Sequence, residues 1–207
     1  MKVALLGGTG SFGTALAKRL AEAGYDVVIG SRDADRARAA AAELGVDGTA
    51  NEDAAKAADL VVLATKAEGA LDTARGLRDA IGSTPVLCVA SELRFTPDGV
   101  LPTEQSTSLA ERVQAELPVA PVLAGLHSLA ARTLGADEPP DEDVLVCGDD
   151  PVPKALALEL AERITGGRAI DAGPLASARA LEGLTAVIVN VNRRYKAHAG
   201  IRLTGLP

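Results

Sequence analysis

The chain has 207 residues, a length suited to one domain or one domain with a small appendage, and a formal net charge of −7 that argues against a nucleic-acid surface. Hydrophobic residues make up 47% but aromatics only 2%, with no Trp, so the core must be aliphatic. No apolar run approaches the roughly 20 residues of a membrane span, and the chain opens on a strand pattern rather than a cleavable leader, which together predict a cytoplasmic protein without membrane contact.

Met1-Lys-Val-Ala-Leu-Leu6 reads as a strand, Gly7-Gly-Thr-Gly-Ser-Phe-Gly13 as a turn, and 12–23 as an alanine- and leucine-rich helix. A second strand over 25–30 runs into Ser31-Arg32, followed by a helix over 34–44. Asn51 is placed to cap a short helix over 51–58. Further strands are expected near 59–65, 85–90, 119–124, 144–148 and 168–171, with helices over 67–81, 106–116 and 152–165 between them. This alternation predicts an α/β fold, a doubly wound and mostly parallel Rossmann-type sheet with a small helical part at the C-terminal end. The near-continuous apolar strands suit coverage on both faces.

Segment 91–104 has little periodicity and reads as a long loop at the rim of a ligand crevice. The acidic, proline-bearing stretch Gly135–Asp143 reads as solvated surface, and one long helix is expected from Pro174 to about Tyr195. Cys88 and Cys147 lie in apolar stretches and are expected as buried, reduced thiols. With only two histidines and no metal-ligand spacing, no metal site is expected.

Gly8, Gly10 and Gly13 fit G-x-G-x-x-G between a strand and a helix, the context in which this spacing marks a dinucleotide site. The glycines allow a tight turn and let a pyrophosphate approach bare N–H groups at the helix N-terminus. The end of the second strand bears on which dinucleotide is bound. An NAD site places a carboxylate there for the ribose 2′-OH, whereas this chain has Ser31 and Arg32, with Arg36 one helical turn on. A guanidinium grips a 2′-phosphate with paired, charge-assisted donors, which points to NADP(H). The rival reading keeps both arginines as solvated charges partly neutralised by Asp33 and Asp35.

The far end of the chain adds a second pattern. Val146-Cys-Gly-Asp-Asp150, Asp171-Ala-Gly-Pro-Leu175, Arg179, Glu182, Leu184-Thr185 and Asn190, together with Gly7-Gly-Thr-Gly10 and Gly30-Ser-Arg32, resemble the F420H2:NADP+ oxidoreductases from Met1 to about Pro207. The resemblance implies hydride transfer between NADP(H) and the deazaflavin coenzyme F420. It implies an NADP-binding part over 1–145 and a smaller part over 146–207 that completes a pocket for the second ring. Carried over by position, NADP contacts fall on Thr9, Gly10, Ser11, Phe12, Ser31, Arg32 and Arg36. The histidine stretch of the family corresponds to Leu126–Arg132, and Ala130 with Ala199-Gly-Ile201 would line the deazaflavin pocket. One departure is Ala64-Thr-Lys-Ala67, where the family carries a Pro-Trp pair close to the nicotinamide.

Hydride transfer between two flat rings needs positioning and exclusion of water more than side-chain chemistry, so no catalytic side chain is nominated. His127, after the apolar run 121–126, could hydrogen-bond the second ring or be a satisfied structural residue. Thr65 and Lys66 could touch phosphate or ribose, or cap the crevice rim. Arg179 and Glu182, three residues apart on the long helix, are expected to pair with each other or across a homodimer. Asn190, set among Val and Ile, must find partners. Four cations (Arg193, Arg194, Lys196, Arg202) and no carboxylate follow Glu182, which suits an anionic cofactor tail or simply the helix macrodipole. Two further functional readings stand: an NADPH-dependent reductase of another small acceptor (free flavin, quinone or chelated metal), and a non-catalytic NADP(H) sensor.

Overall fold

The computed structural model describes residues 1–206; Pro207, the last residue of the expected C-terminal part, lies outside the described residues. In chain order the elements are β1 (Lys2–Leu6), α1 (Ser11–Glu22), β2 (Asp26–Ser31), α2 (Ala34–Ala42), β3 (Asp47–Ala50), α3 (Asn51–Lys56), β4 (Leu60–Leu63), α4 (Ala67–Gly76) and α5 (Arg78–Ile81). They continue with β5 (Val86–Cys88), β6 (Leu93–Thr96), β7 (Gly99–Pro102), α6 (Leu109–Glu116), β8 (Val122–Gly125), α7 (Ala131–Leu134), β9 (Val144–Gly148), α8 (Pro151–Ile164) and β10 (Ala169–Asp171). A 3-10 turn (Leu175–Ser177) leads into α9 (Ala178–Tyr195). No helix among the described residues is long and apolar enough to cross a membrane.

Eight strands form one sheet in the order β10-β9-β8-β5-β4-β1-β2-β3. Its neighbours are parallel except β8 and β9, which run antiparallel. Strand alternation sends Val3 and Leu5 to one buried face and Ala4 and Leu6 to the other. The first face is covered by α1, α2 and α8 through Leu16, Leu20, Ala37, Leu160 and Ile164. The second is covered by α3, α4, α6 and α9 through Ala54, Ala70, Leu109, Val113 and Leu181. Cys88 and Cys147 are free thiols buried in that second core. After β3 the chain crosses back to place β4 beside β1, so the crevice opens between the carboxyl ends of those two strands.

The sheet and main helices match the expected elements, and the differences have local causes. β3 is a short polar edge strand, Asp-Gly-Thr-Ala, without the apolar signal of the central strands. Segment 91–104 is not a loop: β6 and β7 pair as an antiparallel hairpin, with Phe95 opposite Val100 across Pro97-Asp98. The turn residues Pro97-Asp-Gly99 announce it, but four-residue strands leave too few positions to show alternation. Asn51 is not the cap of α3, since Ala50 holds that place and the Asn51 side chain reaches Gly7 instead.

The acidic stretch before β9 is only partly solvated. Glu142 is 6% exposed and Asp143 fully buried. Arg19, itself 5% exposed, ties the start of that stretch to α1 by donating to the carbonyls of Leu134 (3.2 Å), Asp137 (3.3 Å), Glu138 (3.2 Å) and Ala136. Removing one buried guanidinium leaves those carbonyls short of partners. Arg19→Ala should therefore cost about 2–3 kcal/mol in urea unfolding, and a loss below about 0.5 kcal/mol would show that water satisfies the loop equally well.

Candidate functional site

The glycine turn is shaped by contact on three sides. Gly7 has φ +73°, and an ideal Cβ there would lie 2.5 Å from Thr65 Cγ2. Its N–H donates to the Gly30 carbonyl at 3.1 Å and to Asn51 Oδ1 at 3.3 Å, joining β1 to β2 and α3. A Cβ on Gly8 would meet the Leu5 carbonyl at 2.7 Å, and one on Gly13 the Gly8 carbonyl at 2.5 Å, so α1 packs directly on the turn. Gly10 differs: its Cβ would meet no protein atom within 4 Å. Helix α1 begins at Ser11 with no side-chain cap and no acidic residue in its first turn. Thr9 and Gly10 therefore border open space beside the uncapped N–H groups of Ser11, Phe12 and Gly13, an arrangement that fits an anion.

At the end of β2, Ser31 is 7% exposed and its Oγ accepts from Asp33 N at 3.2 Å. The carboxylates that the rival reading sets against the arginines are engaged elsewhere. Asp33 caps α2, accepting from Asp35 N (3.0 Å) and Arg36 N (3.3 Å), while Asp35 pairs with Arg38. Arg32 and Arg36 are exposed and enter no ion pair among the described residues. Two free guanidinium groups at this tip fit a phosphate.

A cleft of about 560 Å³ lies at the switch point between β1 and β4. Phe12 of α1, Thr65 and Lys66 after β4, the strand end Val89–Glu92 after β5, and Leu93 and Phe95 of β6 form its walls. Thr65 Oγ1 is buried without a hydrogen-bond partner. Lys66 is exposed at the start of α4 and unpaired among the described residues. At the end of β8, His127 is 7% exposed and neither ring nitrogen has a partner; burial pushes its pKa down to about 4, so the ring is neutral. Ser91 donates to Thr185 Oγ1 at 2.8 Å, and Thr185 donates to the His127 carbonyl at 2.9 Å, linking the cleft wall through α9 to the histidine.

Residues 2–90 match the NADP oxidoreductase coenzyme F420-dependent family. The F420-dependent NADP reductase of Methanocaldococcus jannaschii is 35% identical, aligning with 100% of this chain and 99% of that protein. The namesake enzyme of Methanothermobacter thermautotrophicus is 36% identical, covering 100% of this chain and 96% of that one. The chain belongs to the F420-dependent NADP reductase family. Its fold agrees: the crystal structure of a candidate F420-dependent NADP reductase from Arthrobacter sp. FB24 superposes with a TM-score of 0.88 at 27% identity, over 99% of this chain and 100% of that one.

The residues that the family pattern assigns to a second ring are more dispersed. Ala130 flanks α7, half-buried, and its carbonyl accepts from Thr133 Oγ1 at 3.1 Å. Ala199 is exposed, held by Asn192 through its N–H (2.6 Å). The tail beyond it docks on the segment before β9: Asp143 N donates to the Ile201 carbonyl at 2.8 Å, and Leu203 N to Asp143 Oδ2 at 2.8 Å. Ser128 Oγ donates to the Asp143 carbonyl at 3.4 Å, so this docked tail is one residue removed from the His127 stretch. Of the family pattern's polar groups, Arg179 and Glu182 do not pair with each other. Arg179 donates to the carbonyls of Thr103 and Gln105, and Glu182 accepts from Leu109 N at 2.7 Å and Ala110 N at 3.4 Å.

Sequence reasoning named Asn51 only as a helix cap and passed over Ser91, Phe95 and Glu142. Only Phe95 carried a readable signal, through the Pro97-Asp-Gly99 turn that follows it. Glu142 lies under the tail: an ideal Cβ on Gly200 would come within 2.2 Å of its Oε2, which has no partner. Burial pushes the Glu142 carboxyl up from its ordinary 4.5 to about 7, and burial does the same to Glu182. Both hold a proton in the folded chain at pH values where the unfolded chain has released it. Their contribution to stability is therefore full below pH 4.5 and lost as pH rises through about 7. Asp143 has the opposite sign: the Arg168 guanidinium holds it well below its ordinary 3.8, so its contribution is full above that pH and is lost only as the solution becomes strongly acidic. The thermal midpoint should fall between pH 5 and pH 8, and less steeply in Glu142→Gln; identical slopes would show that the buried carboxyl is charged throughout.

Proposed function

We propose that this protein transfers a hydride between NADP(H) and coenzyme F420 in the cleft between β1 and β4. The observation that carries this reading is that cleft itself, open beside a bare glycine turn, with Phe12, Val89, Ala90, Leu93 and Phe95 as its apolar surface. It lies in a chain alike over its whole length to reductases named for this reaction.

In this reading Gly8, Gly10 and Gly13 shape the turn, and the N–H groups of Thr9, Gly10, Ser11 and Phe12 hold the pyrophosphate. Ser31, Arg32 and Arg36 hold the 2′-phosphate. Thr65 and Lys66 line the rim above the nicotinamide end. The bound nicotinamide supplies the hydride-carrying carbon. The chain's part is to orient that ring, to keep water out with the side chains of Val89 and Ala90, and to present a second flat ring at van der Waals distance. His127, neutral and buried off the cleft wall, backs the slot for that ring through its carbonyl, which accepts from Thr185 behind Ser91. Ala130 and Ala199, which do not line the cleft, are assigned to that ring by the family pattern alone. The division of labour is then 1–145 for the nucleotide and 146–207 for the second ring, although β9 and β10 belong to the common sheet. The bare stripe Val187, Val191 and Tyr195 on α9 supports a homodimer, and the reduced thiols support a cytoplasmic setting.

A second reading, reduction of a free flavin, quinone or chelated metal by NADPH, is favoured by Lys66, a cation in the cleft wall without an ion pair among the described residues.

Anaerobic mixing of F420 with NADPH should bleach the deazaflavin's visible absorbance. No change with both at saturation, alongside bleaching of free flavin, would transfer the conclusion to the second reading. Arg32→Glu should raise the Michaelis constant for NADPH at least tenfold while leaving that for NADH within twofold; equal losses would remove 2′-phosphate recognition from this residue.

A further inference from the structure

The chain contains two Phe, two Tyr and no Trp, and both phenylalanines, Phe12 and Phe95, line the one cleft. Phe95 is 69% exposed, and among the described residues no other exposed large apolar side chain stands on the cleft wall.

Hairpin geometry explains why it is bare. Leu93 pairs with Pro102 and Phe95 with Val100, so these four side chains share one face of the ribbon. The β7 half of that face is packed on α9. Val100 is 1% exposed, and a Cβ on Gly183 would touch Pro102 at 3.7 Å. The β6 half, Leu93 and Phe95, overhangs the cleft instead. The overhang is held firmly. Asn190 accepts from Val100 N at 2.8 Å and donates to Val100 O at 2.7 Å, while Thr96 Oγ1 donates to Gly99 O at 2.8 Å. An apolar ring mounted in place loses little freedom when a ligand arrives. The β4 side of the cleft, Ala64-Thr-Lys-Ala-Glu68, offers small or charged side chains and no ring face.

We propose that Phe95 is a substrate-contact residue that stacks on the flat conjugated ring of the hydride acceptor. This rests on the reading above, that the cleft receives a planar acceptor beside the nucleotide. Offset stacking of two π-systems favours such a contact beyond simple area burial. Phe95 then selects for planarity, while the nucleotide is held by groups on the opposite wall.

The test is equilibrium binding without turnover. Oxidised F420 is titrated into the NADP-free protein and followed by quenching of its fluorescence, with NADPH titrated separately. Phe95→Ala should weaken F420 about tenfold and Phe95→Tyr less than twofold, with NADPH affinity unchanged in both. Equal F420 affinity in wild type and Phe95→Ala overturns the proposal. So does parallel weakening of NADPH, or a change in native mass by light scattering that would place Phe95 in a contact between copies. If the wild type binds FMN but not F420, the choice of acceptor fails while stacking is judged on the same variants with FMN. Binding of neither ring overturns both.

Discussion

One backbone amide organises the ligand end of this molecule. Gly7 N–H is shared between the Gly30 carbonyl and Asn51 Oδ1, and Gly7 itself presses against Thr65. Four elements therefore meet at a residue with no side chain: β1 through the peptide bond, β2 and α3 through the amide hydrogen, and the end of β4 through van der Waals contact with Thr65. Any Cβ there would push β4 away from β1, and the crevice exists because those strands are neighbours whose connections leave in opposite directions. The approach of α1 to Gly8 depends on the same closeness, since Gly13 packs on the turn's own backbone.

The hairpin side of the cleft depends on α9 in a different way. Its polar side chains are spent on other elements: Glu182 on the first two N–H groups of α6, which the Ser108–Glu111 capping box leaves free, Arg179 on the carbonyls before it, Thr185 on the His127 carbonyl, Asn190 on both backbone groups of Val100. Each satisfies groups that a surface helix would leave to water. Through them α9 becomes the mount for the hairpin that overhangs the cleft. The burial of Glu182, 3% exposed, is the electrostatic consequence: its carboxyl is pushed up to about 7 although two amides favour the anion.

Charge is distributed to match. At the β2 tip the carboxylates nearest the arginines are used as a helix cap and a helix-face ion pair, leaving Arg32 and Arg36 without an ion pair among the described residues. At the opposite end Asp143 is saturated by Arg168 and Leu203, whereas Glu142 beside it has an oxygen with no partner. The tail that covers them thus rests on one satisfied and one unsatisfied carboxyl.

The sequence alone determined the doubly wound sheet, the glycine turn and the basic β2 tip, because each is a short-range pattern. Central strands are apolar on both faces, the turn has a required spacing, and the tip lies at a strand end. What it could not determine was decided by partners far along the chain. Asn51 reads as a helix cap until Gly7 stands beside it. Segment 91–104 reads as a loop because its strands are too short to alternate visibly and gain their stability from α9, some 90 residues on. Glu142 and Asp143 read as solvent-facing until the C-terminal tail covers them. Arg179 and Glu182 look like an ion pair at helical spacing, yet tertiary packing gives each a backbone partner it satisfies better. Local pattern specifies which element forms. Only the assembled fold specifies which polar groups are left buried and which apolar ring is left bare, since both depend on what packs against them.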